Sequence, residues 1–428
     1  MSGADAKDGG KPLLAKLVMA GSQQTEAEAI TDFVFMAKDI SNAYLINTGD
    51  GDVMVNSGFM DNAERTRNLL APRRSGPLRR IILTQAHADH YGGVPALSEP
   101  GTTQVVAEKR FVDNWNYFDQ LAPFLRRRSA KLWANTLNRG TRPPEPPRVI
   151  PDIVVDRRYE FEQGGRRFEV ISTPGGEALE SLVVWMPDER IVFTGNLFGP
   201  VFLAMPNLVT IRGDRPRLVS RYLHSLDLVR RLGAELLITG HGDPIRGADA
   251  IRTSLDKMHA AVSFVKQAVV DGMNAGKTVH TLMREVRLPA ELQIGEFHGN
   301  VRWAVRSIWD EHAGWFHYED STTGLYGVPR SAVNADIAEL AGGAAALAAR
   351  ARVKLDSAQP LEALHLLDIA LSAEPSHADS LSVKKDALQL LLKESSGGNL
   401  SETMWLKSEI AAVDAAIGSP LPPGEGGA

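Results

Sequence analysis

The 428-residue chain has no cysteine. That excludes disulfides, thiolate zinc sites, iron–sulfur clusters and thiol nucleophiles. Any metal must be held by imidazole, carboxylate or amide oxygen. Neither sign of charge is in large excess. The 47 Lys plus Arg and 52 Asp plus Glu leave a formal net charge of -5. That balance carries no basic footprint for nucleic acid. Long apolar runs are also missing. No stretch of about 18 apolar residues exists, so no membrane-spanning helix is expected. The start, Met1 to Gly10, is polar and lacks the apolar segment of a secretory signal. A cytoplasmic protein with no membrane partner is expected.

What is present is ordinary for a globular chain. The hydrophobic fraction is 43%. At about 150 residues per domain, the length suggests two to three domains. Residues 1–28 read as a flexible N-terminus. Residues 29–275 alternate strand-like and helix-like pieces, with an insertion at 109–148. Strands are predicted at Asp32–Met36, Ala43–Asn47, Val53–Asn56, Arg80–Thr84 and Gln104–Ala107, then at Tyr159–Glu162, Arg167–Ile171, Ser181–Met186, Arg190–Thr194 and Glu235–Thr239. Helical spacing marks Pro216–Arg231 and Ala248–Gly272. Two series of strands with helices between them predict two sheets with helices outside. Residues 276–417 read as nearly all helix, over Ala332–Leu355, Pro360–Ala373, Ser376–Glu394 and Ser401–Ile417. Residues 418–428 read as a disordered tail.

One segment concentrates metal-competent side chains: Thr84-Gln-Ala-His87-Ala-Asp89-His90-Tyr-Gly-Gly93. It follows a predicted buried strand and enters a predicted helix. Asp89 would open that helix, where a carboxylate is favoured. His241, in Thr239-Gly-His-Gly-Asp243, follows the last predicted strand of this part. From residue chemistry alone, His87, Asp89, His90 and His241 are the candidate ligands.

This pattern resembles the metallo-β-lactamase superfamily signature His-x-His-x-Asp-His, with Gln85 at the first His position. Further landmarks follow in order: Thr173-Pro-Gly-Gly-Glu177, Phe193-Thr-Gly-Asn196 and the His241 segment. Asn56 stands where an Asp is usual. Within the superfamily the chain resembles the alkylsulfatase branch. Thr173–Ala178, Asn207-Leu-Val-Thr-Ile-Arg212-Gly213 and Gly299–Phe316 carry that likeness. The resemblance implies an α/β fold, an αββα sandwich followed by an all-α dimerisation subdomain, and a homodimer. It implies that the terminal domain common in the branch is missing beyond Ile417. It also implies two divalent metals, one held by Gln85, His87 and Glu177 and the other by Asp89, His90 and His241. Asn196 would lie near or between them, with Asp89 and Asn196 the catalytic candidates. Two amides in place of an imidazole and a carboxylate make the site richer in oxygen. Iron or manganese then competes with zinc.

The insertion carries Phe111, Trp115, Tyr117, Phe118, Phe124 and Trp133 beside Arg126–Arg128, Arg139 and Arg142. Trp115 and Phe118 are candidates to hold a bulky apolar group. The alternative is that the aromatics are the insertion's own core. Arg212 is the candidate for an anionic group by bidentate contact, with pairing to Asp214 as the plainer alternative. His224 and His259 read as structural. His298, His312 and His317 flank an aromatic-rich segment read as core or dimer contact, near which the family places substrate-side groups. A small-molecule substrate with a hydrophobic acyl or alkyl part is expected. The main expectation is acyl-CoA thioester hydrolysis by water activated at the metals. The alternatives are alkyl sulfate hydrolysis and a catalytically inactive dimeric scaffold.

Overall fold

Residues 13–133, 145–317 and 322–418 are described in a computed structural model. Of the flexible start expected over 1–28, residues 1–12 lie outside the described residues, as do the tail from 419, Arg139, Arg142, Tyr318 and the side chain of Trp133. Leu13–Met19 is instead a helix, because Leu14, Ala15 and Val18 are buried. Two compact units account for the chain, Met1–Ser129 with Asn138–His312, and Ala130–Leu137 with Ala313–Ala428.

The first unit holds two sheets. Seven strands form one: β1 (Glu28–Ala29), β2 (Val34–Ala37), β3 (Ala43–Thr48), β4 (Gly51–Val55), β5 (Leu78–Ile82), β6 (Gln104–Glu108) and β7 (Ile153–Val155), in that spatial order. β1 to β4 pair antiparallel and β4 to β7 pair parallel. Six strands form the other: β8 (Arg158–Gln163), β9 (Arg166–Ser172), β10 (Leu182–Met186), β11 (Ile191–Gly195), β12 (Leu236–Thr239) and β13 (Ile245–Arg246). Here β11 and β12 are parallel and the other pairs antiparallel.

Alternation along the strands explains the layering. Val34, Met36, Tyr44, Ile46, Val53 and Val55 of the first sheet meet Phe168, Val170, Val184, Met186, Phe193 and Ile238 of the second in one buried core. The intervening residues Phe35, Leu45 and Met54 point the other way, into a core with Leu69, Leu70, Tyr91 and Phe111. Likewise Val183, Trp185, Val192 and Leu237 pack outward on Tyr222, Leu226, Met258 and Val262 of helices Val219–Leu232 and Ala248–Asn274. Helices thus cover both outer faces, giving the expected αββα sandwich.

This unit runs to His312, past the expected boundary at 275. The reason is burial: Val279, Leu282, Val286, Val301, Val305 and Ile308 join the same outer core as the second sheet. The insertion is helical over Phe111–Gln120 and Ala122–Trp133.

The second unit is helical over Asn334–Leu340, Ala344–Asp356, Pro360–Ala373, Ala378–Glu394 and Leu400–Gly418. The single helix expected over Ala332–Leu355 is broken. Gly342 and Gly343 both take positive φ (91° and 90°), which ends one helix and starts the next. Small and large apolar residues alternate in its core, with Ala351, Ala363 and Ala387 against Leu355, Leu367 and Val383. Among the described residues, no helix is long and apolar enough to cross a membrane.

Candidate metal centre

The candidate residues all come from the ends of buried strands. After β5, the chain passes through Thr84 and Gln85 to His87, which precedes the short helix Ala88–Tyr91. Glu177 lies in the turn after β9, Asn196 directly follows β11, and His241 follows β12. These three strands run the same way, so their ends fall on one side of the second sheet. Backbone bonds tie the ends together, from Leu182 N to Thr84 O at 3.0 Å and from Gly240 N to Gly195 O at 2.8 Å. Gly195 has φ 50° and packs on Thr84, and Gly240 packs on Asn196 Oδ1. A Cβ at either would collide with that side chain.

Asp89, His90 and His241 each present a ligand atom, and these atoms lie within 4.8 Å of one another. Asp89 Oδ2 is 3.7 Å from His90 Nε2 and 4.0 Å from His241 Nε2. His90 is fully buried, and its Nε2 has no hydrogen-bond partner. A buried polar atom without a partner is costly, which fits an atom reserved for a cation. Burial pushes His90 down to about 4, so its ring is neutral and able to ligate. Burial raises Asp89, but the imidazoles of His90, His241 and His87 outweigh it and hold the carboxyl below its ordinary value. One imidazole pair and one carboxylate suit a divalent first-row metal. These three residues fit the ion that the fold implies.

Behind His90 lies a shell of polar groups. Ser41 Oγ, Asn56 Nδ2 and Thr84 Oγ1 sit 3.1, 3.0 and 3.3 Å from His90 Nδ1. Ser41 gives its proton to Gly240 O, and Thr84 gives its proton to Asn56 Oδ1. Their oxygens are then free to accept from Nδ1–H, which leaves Nε2 for a metal. Asn56 presents an N–H to the same nitrogen, a contact that suits the opposite tautomer. Its carbonyl oxygen is taken by the Thr84 backbone N–H at 3.0 Å.

The other expected trio, Gln85, His87 and Glu177, sits among charged groups of the chain itself. Gln85 Nε2 lies 2.7 Å from His87 Nδ1. On its far side, His87 Nε2 faces Asp214 Oδ2 at 3.4 Å. Glu177 Oε1 is 3.7 Å from the Arg217 guanidinium, which also reaches Asp214 at 3.1 Å. Burial lowers His87, but Asp214 more than offsets it and leaves the imidazole above its ordinary value. Burial raises Glu177 and Asp214, yet the positive groups around them win and hold both well below the carboxylate range. Asn196 sits against the first trio, its Nδ2 3.1 Å from His241 Nε2.

On the substrate side, the Phe118 ring stands edge-on to His87 with centroids 5.5 Å apart. Trp115 instead packs on the core outside the first sheet, with Arg148 over its ring at 5.7 Å. Phe111 is fully buried in that same core, so these two aromatics pack on the sheet rather than form a substrate wall. Phe124 is exposed, against Arg128. Arg212 is paired with Asp214 at a loose 3.6 Å, and its side chain is 20% exposed. A narrow cavity lined by Asn114, Glu177, Asp214 and Arg217 adjoins it.

Three groups at the site were not singled out as functional from sequence. Arg217 and Asp214 are buried, and Asp214 had entered only as a plain partner for Arg212. Glu180 is also buried, and its Oε1 accepts from Ala86 N at 3.0 Å, fixing the Gln85–His87 turn. The signal for Arg217 and Asp214 was their spacing in one short segment, which no local pattern distinguishes from surface charge. His298 also comes to the site, where burial pushes it down to about 3 while the charges of Glu177, Arg212, Arg217 and His241 act on it.

Residues 37–241 match the family model described as metallo-beta-lactamase superfamily, and residues 278–407 match that for alkyl sulfatase dimerisation. The chain carries a metallo-beta-lactamase domain followed by an alkyl sulfatase dimerisation domain. Proteins of the superfamily typically bind divalent metals, usually zinc. A linear primary-alkylsulfatase of Pseudomonas sp. is 26% identical over 64% of this chain and 56% of its own length. An alkyl/aryl-sulfatase of Saccharomyces cerevisiae is 24% identical over 85% of this chain and 60% of its own length. The chain thus spans about three fifths of the length of the curated relatives it matches. The solved structure of a stereoselective inverting sec-alkylsulfatase from Pseudomonas sp. superposes with a TM-score of 0.80 at 21% identity, covering 92% of this chain and 66% of that one. That match shows a shared fold. These relatives favour the alkylsulfatase alternative over the acyl-CoA expectation, which rested on the amides Gln85 and Asn196. Amide ligands change a metal's surroundings but carry no information about the ester bond that is cut.

Proposed function

We propose that this protein hydrolyses sulfate esters of hydrophobic alcohols at the centre formed by Asp89, His90 and His241. The observation that carries this reading is the placement of Arg212. It is a guanidinium beside Asp214, which itself faces His87, held by one loose 3.6 Å contact and partly open to solvent. A guanidinium in that state can take a sulfate group in a bidentate fork. The relatives' sulfatase names support the same ester class.

A divalent ion held by the trio supplies a Lewis acid that polarises oxygen and eases loss of a proton from water. The chain's own groups do the rest. Arg212 holds the sulfate oxygens and sets their distance from the trio. Asn196 offers Oδ1, an acceptor without a hydrogen-bond partner, beside His241. Phe118 closes the His87 side with an apolar edge and keeps water from it. Ser41 and Thr84 hold the His90 ring in place from behind. The alkyl part is read as lying toward Phe118. Through its dimerisation domain the chain is read as a homodimer, and Val353 and Leu361 leave apolar surface on the helical unit for that contact.

The test is turnover of dodecyl sulfate by the full-length, metal-loaded protein, followed as released sulfate, beside a long-chain acyl-CoA followed as released thiol. Sulfate without thiol is the expected result. Thiol without sulfate would overturn the reading, and neither would return the chain to the inactive-scaffold alternative.

A further inference from the structure

The two halves of the site do not have the same electrostatic state. The Asp89, His90 and His241 half has one carboxylate, two imidazoles and an unpaired His90 Nε2. The charged groups of the Gln85, His87 and Glu177 half face opposite charges of the chain itself. His87 Nδ1 lies 2.7 Å from Gln85 Nε2, and its Nε2 faces the Asp214 carboxylate at 3.4 Å without a hydrogen bond. Glu177 faces Arg217, and Arg217 also pairs with Asp214 and donates to Asn207 O at 2.7 Å.

Arg217 is 3% exposed, so its permanent charge is poorly screened. A second dication beside Glu177 would be repelled by Arg217 and by Arg212. The atoms that remain without hydrogen bonds here are His87 Nε2, Gln85 Oε1, Asn196 Oδ1 and Glu177 Oε2. Two are neutral amide oxygens, and soft-to-borderline ions bind these more weakly than imidazole or carboxylate.

We infer that this chain holds a single divalent ion, at Asp89, His90 and His241, and that Asp214 and Arg217 have replaced the second ion with an internal ion-pair network around His87 and Glu177. The inference rests on the reading of the trio as a metal centre. It departs from the expectation of two ions that the family resemblance implies. In this arrangement His87 is a positioning residue, fixed between Gln85 and Asp214.

The test is metal content of full-length protein by elemental analysis after loading with Mn2+ and gel filtration, for the wild type, His87→Ala and His241→Ala. Mn2+ electron paramagnetic resonance is recorded on the same samples. The expected result is one equivalent in the wild type, one in His87→Ala and a more than tenfold loss in His241→Ala. The wild-type spectrum is expected to be that of an uncoupled ion. Two equivalents with an exchange-coupled spectrum, or loss of the ion in His87→Ala, would overturn the inference. If His87→Ala fails to fold by circular dichroism, His87→Gln, which keeps a polar group facing Asp214, replaces it with the same expectations. Less than half an equivalent in a folded wild type would instead overturn the metal-centre reading beneath it.

Discussion

The two sides of this site began from one family pattern and have reached different chemistry. On the His90 side, burial leaves a neutral imidazole pointing an unpaired nitrogen at Asp89 and His241. On the His87 side, the imidazole is flanked by an amide and a carboxylate of the chain, and the neighbouring Glu177 is faced by a buried arginine. Burial acts on both. What differs is which partner answers it: an ion supplied from solution, or a guanidinium built into the sequence. A buried charge is tolerated in either case, because what is costly is leaving it unpaired.

That contrast can be broken most strongly from the His90 side. His90→Ala or His241→Ala should abolish bound metal and lower sulfate release by about a thousandfold or more, the scale on which loss of a Lewis acid acts. Elemental analysis and single-turnover rates check both effects together, and metal retention with intact turnover would place the ion elsewhere.

From the His87 side the largest effect should be on stability. Arg217→Leu leaves Asp214 and Glu177 as buried carboxylates without their guanidinium. Loss of one partner from such a network costs about 3–5 kcal/mol. Urea unfolding of the metal-free protein reads it, and a change under 1 kcal/mol, within the range of about 0–1 kcal/mol for exposed pairs, would show that the network is not buried in solution.

Acid should also weaken the metal-free protein. His90 and His298 are held neutral by burial, down to about 4 and about 3, against an ordinary value of 6.5. The unfolded chain therefore binds more protons between those values. Stability is full above pH 6.5 and falls as the pH drops toward 4, with a limiting slope of about 1.4 kcal/mol per pH unit for each group. His298→Asn should flatten the slope over this window, and an unchanged slope would remove His298 from the account.

The smallest expected effect sharpens the His90 side. Asn56→Asp replaces an N–H that faces His90 Nδ1 with a carboxylate oxygen able to accept from it. Polar partners behind a ligand's ring change metal affinity by about tenfold or more. Competition with a chelator should show tighter binding. Equal affinity would mean that Ser41 and Thr84 already fix the ring.

Much of this was legible before any coordinates. The buried strand ending at Ile82, with His87, Asp89 and His90 just beyond it, is a local pattern, and so is His241 after the strand Leu236–Thr239. Strand alternation gave the layers, because a residue's face follows directly from its parity. The break at Gly342–Gly343 was missed because helical apolar spacing continues across it while the backbone does not. Trp115 looked like a substrate wall because composition cannot say which side of a helix meets the core. The network around His87 was hidden for a deeper reason. Asp214 and Arg217 lie far along the chain from His87, and only tertiary packing makes their charges its neighbours. Sequence landmarks therefore name the residues of both expected trios, but not the arginine beside one of them.

The most direct measurement is anomalous diffraction from crystals of the full chain loaded with metal, recorded at that metal's absorption edge. The account predicts one peak, bounded by Asp89, His90 and His241, with His87 still turned to Asp214. A second peak between His87 and Glu177 would contradict it.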